Sequence, residues 1–119
     1  NKTVDLSSLS TTSELVLNFR QTGTLAITTG TKRWYAPKSV TFTKITARVD
    51  TAPVGSALNV DINKNGVSAV TISVADGQTK TINSSPSLSM VEDDYLTVDI
   101  DQIGSSTAGS ELTITFTYT

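Results

Sequence analysis

The chain has 119 residues and a formal net charge of −2, with nine basic and eleven acidic side chains. This length indicates one domain, and the lack of a basic stripe argues against nucleic-acid binding through phosphate contacts. No run of about 18 apolar residues occurs, so membrane insertion is not expected. Histidine and cysteine are absent, which excludes disulfides and removes the commonest general base and metal ligand.

The composition favours an all-β fold. Charged residues make up only 17% of the chain, against roughly 25% in ordinary soluble domains. About three residues in ten are Ser or Thr, well above ordinary usage. Thr suits strands because its branched Cβ packs well on a pleated surface. No segment shows a sustained helical period, so we expect strands throughout.

The beginning of the chain predicts an arm followed by short strands. Residues 1–13 are polar, with Val4, Leu6 and Leu9 as their only sizeable apolar side chains. We interpret this segment as an arm or linker that gains order on assembly. Three short strands follow at residues 14–19, 24–28 and 32–36, with a turn at residues 21–23.

The longest strand candidate, residues 39–50, changes phase along its length. Val40 and Phe42 share one face, whereas Ile45 and Ala47 share the other. Because side chains alternate strictly along a strand, the change at Thr43 predicts a β-bulge.

One phrase occurs twice in the second half of the chain. Residues 58–66 and 96–104 both read Leu-x-Val-Asp-Ile-(Asn/Asp)-x-x-Gly. Each copy predicts a strand with one apolar and one polar face, ended by a glycine that can adopt positive φ. The first copy ends in Lys64-Asn65-Gly66, and Asn-Gly is the strongest short hairpin signal.

The remaining segments complete the predicted fold. Further strands are expected at residues 68–74, 79–82 and 111–119, and one helical turn at residues 90–94. About eight short strands joined by turns and loops predict an antiparallel β-sandwich with a jelly-roll-like arrangement.

Three acids are candidate metal ligands. Asp61, Asp99 and Asp101 face outward from the two repeated strands, and clustered carboxylates are suited to calcium or to acid/base work. The alternative is a solvated sheet face that discourages edge pairing. Residues 61–66 also open like a calcium loop, but Ile72 occupies the position of its bidentate Glu, which favours the hairpin. Calcium is the only cofactor that this pattern leaves open.

Lys32-Arg33-Trp34-Tyr35 is the densest cationic and aromatic cluster. Trp and Tyr beside Arg are typical of binding hot spots, so Arg33, Trp34 and Tyr35 are candidate ligand contacts. Neighbouring strand residues point to opposite faces, so at most one of the two rings lies in the core. A role in the core or a subunit interface is the alternative. Without His or Cys the usual nucleophile–base pairs cannot form, so we do not expect an enzyme.

Four segments together resemble a known family. They are residues 30–37 (GTKRWYAP), 45–49 (ITARV), 52–66 (APVGSALNVDINKNG) and 96–104 (LTVDIDQIG), with Gly109 and Leu112 beyond them. From about residue 22 to residue 119 the chain resembles a β-sandwich domain that recurs in virion proteins of tailed bacteriophages, chiefly tail and fibre proteins. The resemblance divides the chain into residues 1–21, an arm with a first short strand, and residues 22–119, the sandwich.

The resemblance implies a non-enzymatic structural or adhesive module displayed on the virion, on the tail or the capsid surface, and usually homotrimeric. It implies other virion proteins as partners and brings no catalytic residues. The first expectation is a tail-fibre or tail-tip domain that contacts host-surface glycan during attachment. One alternative is a head-decoration (cement) protein that binds the shell through the arm and a sheet face. Another is a calcium-dependent carbohydrate-binding module.

Overall fold

The computed structural model describes residues 15–119. Within that range the chain forms nine strands and no helix. The strands are β1 (Leu15–Thr24), β2 (Trp34–Tyr35), β3 (Val40–Arg48), β4 (Leu58–Lys64), β5 (Val67–Val74), β6 (Lys80–Asn83), β7 (Leu88–Met90), β8 (Tyr95–Gln102) and β9 (Ser110–Tyr118). The predicted arm at residues 1–13, with Val4, Leu6 and Leu9, lies outside the described residues.

The strands form two antiparallel sheets. The first has the order β1-β9-β3-β6, and β7 pairs with the other end of β3. The second has the order β2-β8-β4-β5. β6 and β7 therefore share one edge position and act as a single strand interrupted between Asn83 and Leu88.

The pairing pattern is that of a rolled ribbon. β4 pairs with β5, β3 with β6 and β7, β2 with β8, and β1 with β9. The chain thus runs out and back as one long antiparallel ribbon whose tip is the turn at Asn65 and Gly66, both with positive φ. Rolling the ribbon places β9 beside β3 and β8 beside β4, which is the jelly-roll arrangement. The predicted antiparallel, jelly-roll-like sandwich of about eight strands is confirmed.

The core lies between the sheets and follows directly from the alternating sequence. In β9, Leu112, Ile114, Phe116 and Tyr118 are buried between partly exposed neighbours. β4 and β8 bury the apolar residues of the repeated phrase in the same way. Four rings form a cluster of edge-on and tilted contacts in the core: Trp34, Phe42, Phe116 and Tyr118.

Several local predictions can be compared with the structure. The bulge expected at Thr43 is confirmed, since the β3–β9 register shifts between Phe42 and Lys44. The predicted turn at residues 21–23 is wrong: these residues continue β1, with a bulge at which the Gly23 N–H donates to Glu111 Oε1 at 3.0 Å. The helical turn expected at residues 90–94 is also wrong. A tight turn occurs there, in which the Asp94 N–H donates to the Val91 carbonyl.

The domain division at residue 21 stays a prediction; in the structure Leu15–Gln21 pairs with β9, and β1 continues to Thr24. The strand expected at residues 24–28 is reduced to a bridge between Thr28 and Ile100. Leu25 is nevertheless buried, with its N–H donating to the Gly109 carbonyl at 3.0 Å, whereas Ile27 is exposed.

Candidate functional site

The two copies of the repeated phrase are neighbouring antiparallel strands. β4 and β8 pair so that Asp61 stands directly opposite Asp99, and their apolar residues face the core together. Like charges directly opposite one another destabilise a sheet unless other groups compensate them. The structure supplies such groups around each carboxylate.

Asp99 accepts two hydrogen bonds from different parts of the chain. The Gly30 N–H donates to Oδ1 at 2.7 Å, and the Asn63 side-chain amide donates to Oδ2 at 2.9 Å. Charge-assisted bonds of this kind are among the stronger ones in proteins. Asp99 thus ties the loop before β2 to the central strands, and each of its oxygens keeps a lone pair free.

The three predicted metal ligands do not form one cluster. Asp61 accepts a hydrogen bond from the Ser68 hydroxyl at 2.6 Å. Asp101 is exposed at a β8 bulge, where the register shifts between Asn59 and Val60. Among residues 15–119 no group of three acidic side chains is arranged to hold a metal ion. The calcium site stays a prediction, and the hairpin expected at residues 64–66 is present.

The loop at residues 28–31 extends the second sheet beside β8. Thr28 and Ile100 exchange two backbone hydrogen bonds, of 3.0 and 2.8 Å. A Cβ on Gly30 would lie 1.9 Å from the Val98 carbonyl oxygen, so only glycine allows this approach. The close approach also brings the Gly30 N–H to Asp99.

The aromatic and cationic cluster splits between core and surface. Trp34 packs edge-on against Phe42 and Tyr118 and is partly buried. Tyr35 lies on the outer face, 52% exposed, with its ring 5.7 Å from that of Tyr95. The prediction that at most one of the two rings lies in the core is confirmed, since Trp34 packs against the core and Tyr35 is exposed.

Arg33 joins Tyr35 and Tyr95 into a surface platform. Its guanidinium carbon lies 4.2 Å from the centre of the Tyr95 ring, and Nη1 donates to the Tyr35 hydroxyl at 3.2 Å. This hydrogen bond raises the pKa of Arg33 above its ordinary value. Sequence reasoning missed Tyr95; the only signal for it is the β2–β8 register that pairs Tyr35 with Tyr95.

The hairpin tip holds Tyr95 in place. Asn65 donates its backbone N–H to the Tyr95 carbonyl and accepts the Tyr95 N–H on Oδ1, at 2.9 and 3.0 Å. The Asn65 amide also donates to Asp94 Oδ1 at 3.0 Å. This bond, and one from the Val91 N–H, lower the pKa of Asp94. The platform is therefore built on hydrogen-bonded backbone.

A cleft of about 340 Å³ lies between Arg33 and Tyr95 of the platform on one side and Asp99 on the other. Its lining combines one cation, one aromatic ring, one carboxylate, one amide, several hydroxyls and exposed backbone: Thr29, Gly30, Thr31, Arg33, Asn63, Gly66, Tyr95, Thr97 and Asp99. Such a surface offers a ring for stacking and neighbouring donors and acceptors for hydroxyl groups.

Two comparisons with known proteins found no match for this chain. No protein-family model matches the chain, and no curated protein matches it significantly. The resemblance to phage virion domains therefore stays a prediction carried by the residues quoted for it. Over the described part of the chain there is no helix long and apolar enough to cross a membrane.

Proposed function

We propose that this chain is a non-enzymatic adhesive module of a tailed-bacteriophage virion, located in a tail fibre or tail tip, which binds host-surface glycan. The observation that carries the proposal is the cleft on the outer face of the second sheet, flanked by the platform of Arg33, Tyr35 and Tyr95. The virion placement depends on the resemblance of the sequence.

The chemistry of the cleft suits a sugar ring. The apolar face of a saccharide stacks on aromatic side chains, and its hydroxyls pair with side chains that donate and accept. Asp99 and the Asn63 amide stand side by side, and Thr97 adds a hydroxyl on the same strand as Asp99. Saccharide recognition by this surface requires no nucleophile, in keeping with a sequence that contains neither His nor Cys.

The test is binding of the purified chain to surface polysaccharide from candidate bacterial hosts. Tyr35→Ala should weaken binding about tenfold, or on the order of 1–2 kcal/mol, because the Tyr35 ring packs against Tyr95 and its hydroxyl holds Arg33, and both of those residues line the cleft. Tyr35→Phe, which keeps the ring, should lose much less. Tyr35 is half-exposed and outside the core, so both variants should fold normally.

Ile82→Ala is the matched control, since Ile82 is about equally exposed but lies on β6 of the other sheet. It should bind like the unsubstituted chain. A well-folded chain that binds no host-surface fraction would argue against the proposal.

A second candidate function is head decoration, in which the chain binds the capsid shell. The observation that favours it is the start of β1, where Leu15 and Val16 are 41% and 58% exposed immediately after the predicted arm. Deleting residues 1–13 should then abolish attachment to particles while the circular dichroism of the sandwich is retained. Unchanged attachment would eliminate this version.

A further inference from the structure

Asn63 is a buried amide that lines the cleft, and one of its atoms has no protein partner. The residue is only 8% exposed, and its side-chain nitrogen donates to Asp99 Oδ2 at 2.9 Å. A carboxylate oxygen can only accept a hydrogen bond, so the nitrogen must face Asp99 and the amide oxygen Oδ1 is left over. Within the described part of the chain no group donates to this oxygen.

The Oδ1 atom of Asn63 is accessible from the cleft. Throughout residues 15–119, every side-chain nitrogen or oxygen that is wholly buried has a hydrogen-bond partner. An oxygen without a partner must therefore reach the surface, and the cleft is the surface that Asn63 lines. Leaving an acceptor unpaired in such a place is costly, so a donor from water or from a ligand is expected there.

Arg33 supplies a fixed positive charge on the opposite side of the cleft from Asp99. Its stacking on Tyr95 and its bond to the Tyr35 hydroxyl hold the guanidinium at two points. Among the described residues no carboxylate forms an ion pair with it, whereas Arg20 and Lys64 each have an acidic neighbour. A planar guanidinium held in this way is preorganised to bind a carboxylate through two parallel hydrogen bonds.

We infer that the saccharide bound in this cleft is acidic, with its carboxylate paired to Arg33 and its hydroxyls donating to Asn63 Oδ1 and Asp99. The inference rests on the proposed glycan-binding function and adds the class of sugar. A uronic acid carries both a carboxylate and neighbouring hydroxyls, so it satisfies the two sides of the cleft together. A neutral sugar would leave the charge of Arg33 unpaired.

The negative charge of Asp99 is compatible with an acidic sugar. Each of its carboxylate oxygens already accepts one hydrogen bond, from the Gly30 N–H or from the Asn63 amide. The lone pairs that remain can accept only from donors, so they select the hydroxyl side of the sugar and direct its carboxylate towards Arg33. The sugar is thereby bound in one orientation.

The experiment compares one polysaccharide in two forms. The probe is a host-surface polysaccharide that binds the purified chain, used intact and after carbodiimide activation with borohydride reduction. This treatment converts each carboxylate to a primary alcohol and leaves the hydroxyls in place. Reduction should weaken binding about tenfold in titration calorimetry. Arg33→Gln should weaken binding to the intact polymer by the same factor and leave binding to the reduced polymer unchanged, because the two changes remove the two halves of one interaction.

Lys32→Gln is the matched control. It removes the same charge from the exposed neighbour of Arg33, which does not line the cleft. Binding to the intact polymer should change by no more than about twofold. Both side chains are exposed, so both variants should fold, which circular dichroism checks.

Each outcome decides the inference. A loss on reduction that Arg33→Gln reproduces and Lys32→Gln does not supports it. Equal binding of the two forms, or a bound polysaccharide without carboxylates, overturns the inference while the adhesive function stands. Equal losses from the two variants would show a general charge attraction in place of a specific pair and would also overturn it. If the unsubstituted chain binds no polysaccharide, the proposed function fails, and the inference fails with it.

Discussion

The two lateral margins of the sandwich are built differently. At one margin β5 of the second sheet contacts β6 of the first, and the inward residues of β5, Val70, Ile72 and Val74, are buried. At the other margin β1 and the two-residue β2 leave an apolar groove between them open. The first margin buries the inward residues of β5, whereas the second exposes part of the apolar surface of Leu17, Phe19 and Trp34.

The difference follows from the rolled ribbon. The closed margin comes from the tip of the ribbon, where β4 and β5 are joined by a tight turn and the return strand follows at once. The open margin comes from the free end of the ribbon, where β1 and β9 are far apart in sequence. Strands near the ribbon tip contact strands that lie close in sequence, whereas β1 pairs with β9 from the other end of the domain.

The largest expected contrast comes from truncating one apolar residue at each margin. Ile72→Ala at the closed margin should lower the free energy of unfolding by about 3 kcal/mol, since Ile72 is 5% exposed. Leu17→Ala at the open margin should cost about 1 kcal/mol, because a half-buried side chain loses less transfer free energy. Urea titrations of both variants, with unchanged denaturant dependence, measure the contrast.

Equal losses would show that Leu17 is covered in solution as well as Ile72 is. That result would remove the difference between the margins. Ile82→Ala serves as the reference here too, and its free energy of unfolding should stay within about 0.5 kcal/mol of the unsubstituted value.

An intermediate effect on stability is expected at the loop of residues 28–31, which hydrogen-bonds to β8 near the open margin. Gly30→Ala places a methyl group 1.9 Å from the Val98 carbonyl oxygen, so the loop must move away from β8. Losing the bonds to Asp99 and Ile100 should lower the free energy of unfolding by about 2 kcal/mol. Because Gly30 lines the cleft, Gly30→Ala should also deform the cleft and reduce glycan binding.

Thr29→Ala, on the same loop and exposed, is the matched control and should leave stability nearly unchanged. If Gly30→Ala is equally neutral, the loop is not held as the structure shows.

The sequence predicts the local parts of the fold well because the physics there is local. Alternation gives the strands, the unmatched phase at Thr43 gives the bulge, and Asn65-Gly66 gives the hairpin because both residues tolerate positive φ. The turn expected at residues 21–23 fails for a non-local reason. Glu111, on a strand nearly ninety residues away, accepts the Gly23 N–H and lets the strand continue through a bulge.

The candidate site was only half predictable for the same reason. Arg33 and Tyr35 are adjacent in sequence to Trp34 and stand out as a cluster. Tyr95 joins them only through the pairing of β2 with β8, which no local pattern gives. Likewise the acids of the repeated phrase are visible in sequence, but their hydrogen bonds to Gly30, Asn63 and Ser68 depend on register.

The smallest effect is expected midway between the margins, at the facing acids. Asp61→Asn removes a like charge opposite Asp99 while keeping an oxygen to accept the Ser68 hydroxyl. The free energy of unfolding should rise by a few tenths of a kcal/mol, or about 1–2 °C in melting temperature, with or without calcium. Asp101→Asn, at the exposed bulge, is the matched control and should change nothing measurable. A calcium-dependent melting temperature that Asp61→Asn abolishes would instead establish the metal site, because an ion that binds only the folded state stabilises it by an amount that grows with the logarithm of its affinity. A bound ion would then stabilise β4 and β8 at the centre of the second sheet. The difference between the closed and open margins would no longer be enough to explain which residues contribute most to the free energy of unfolding.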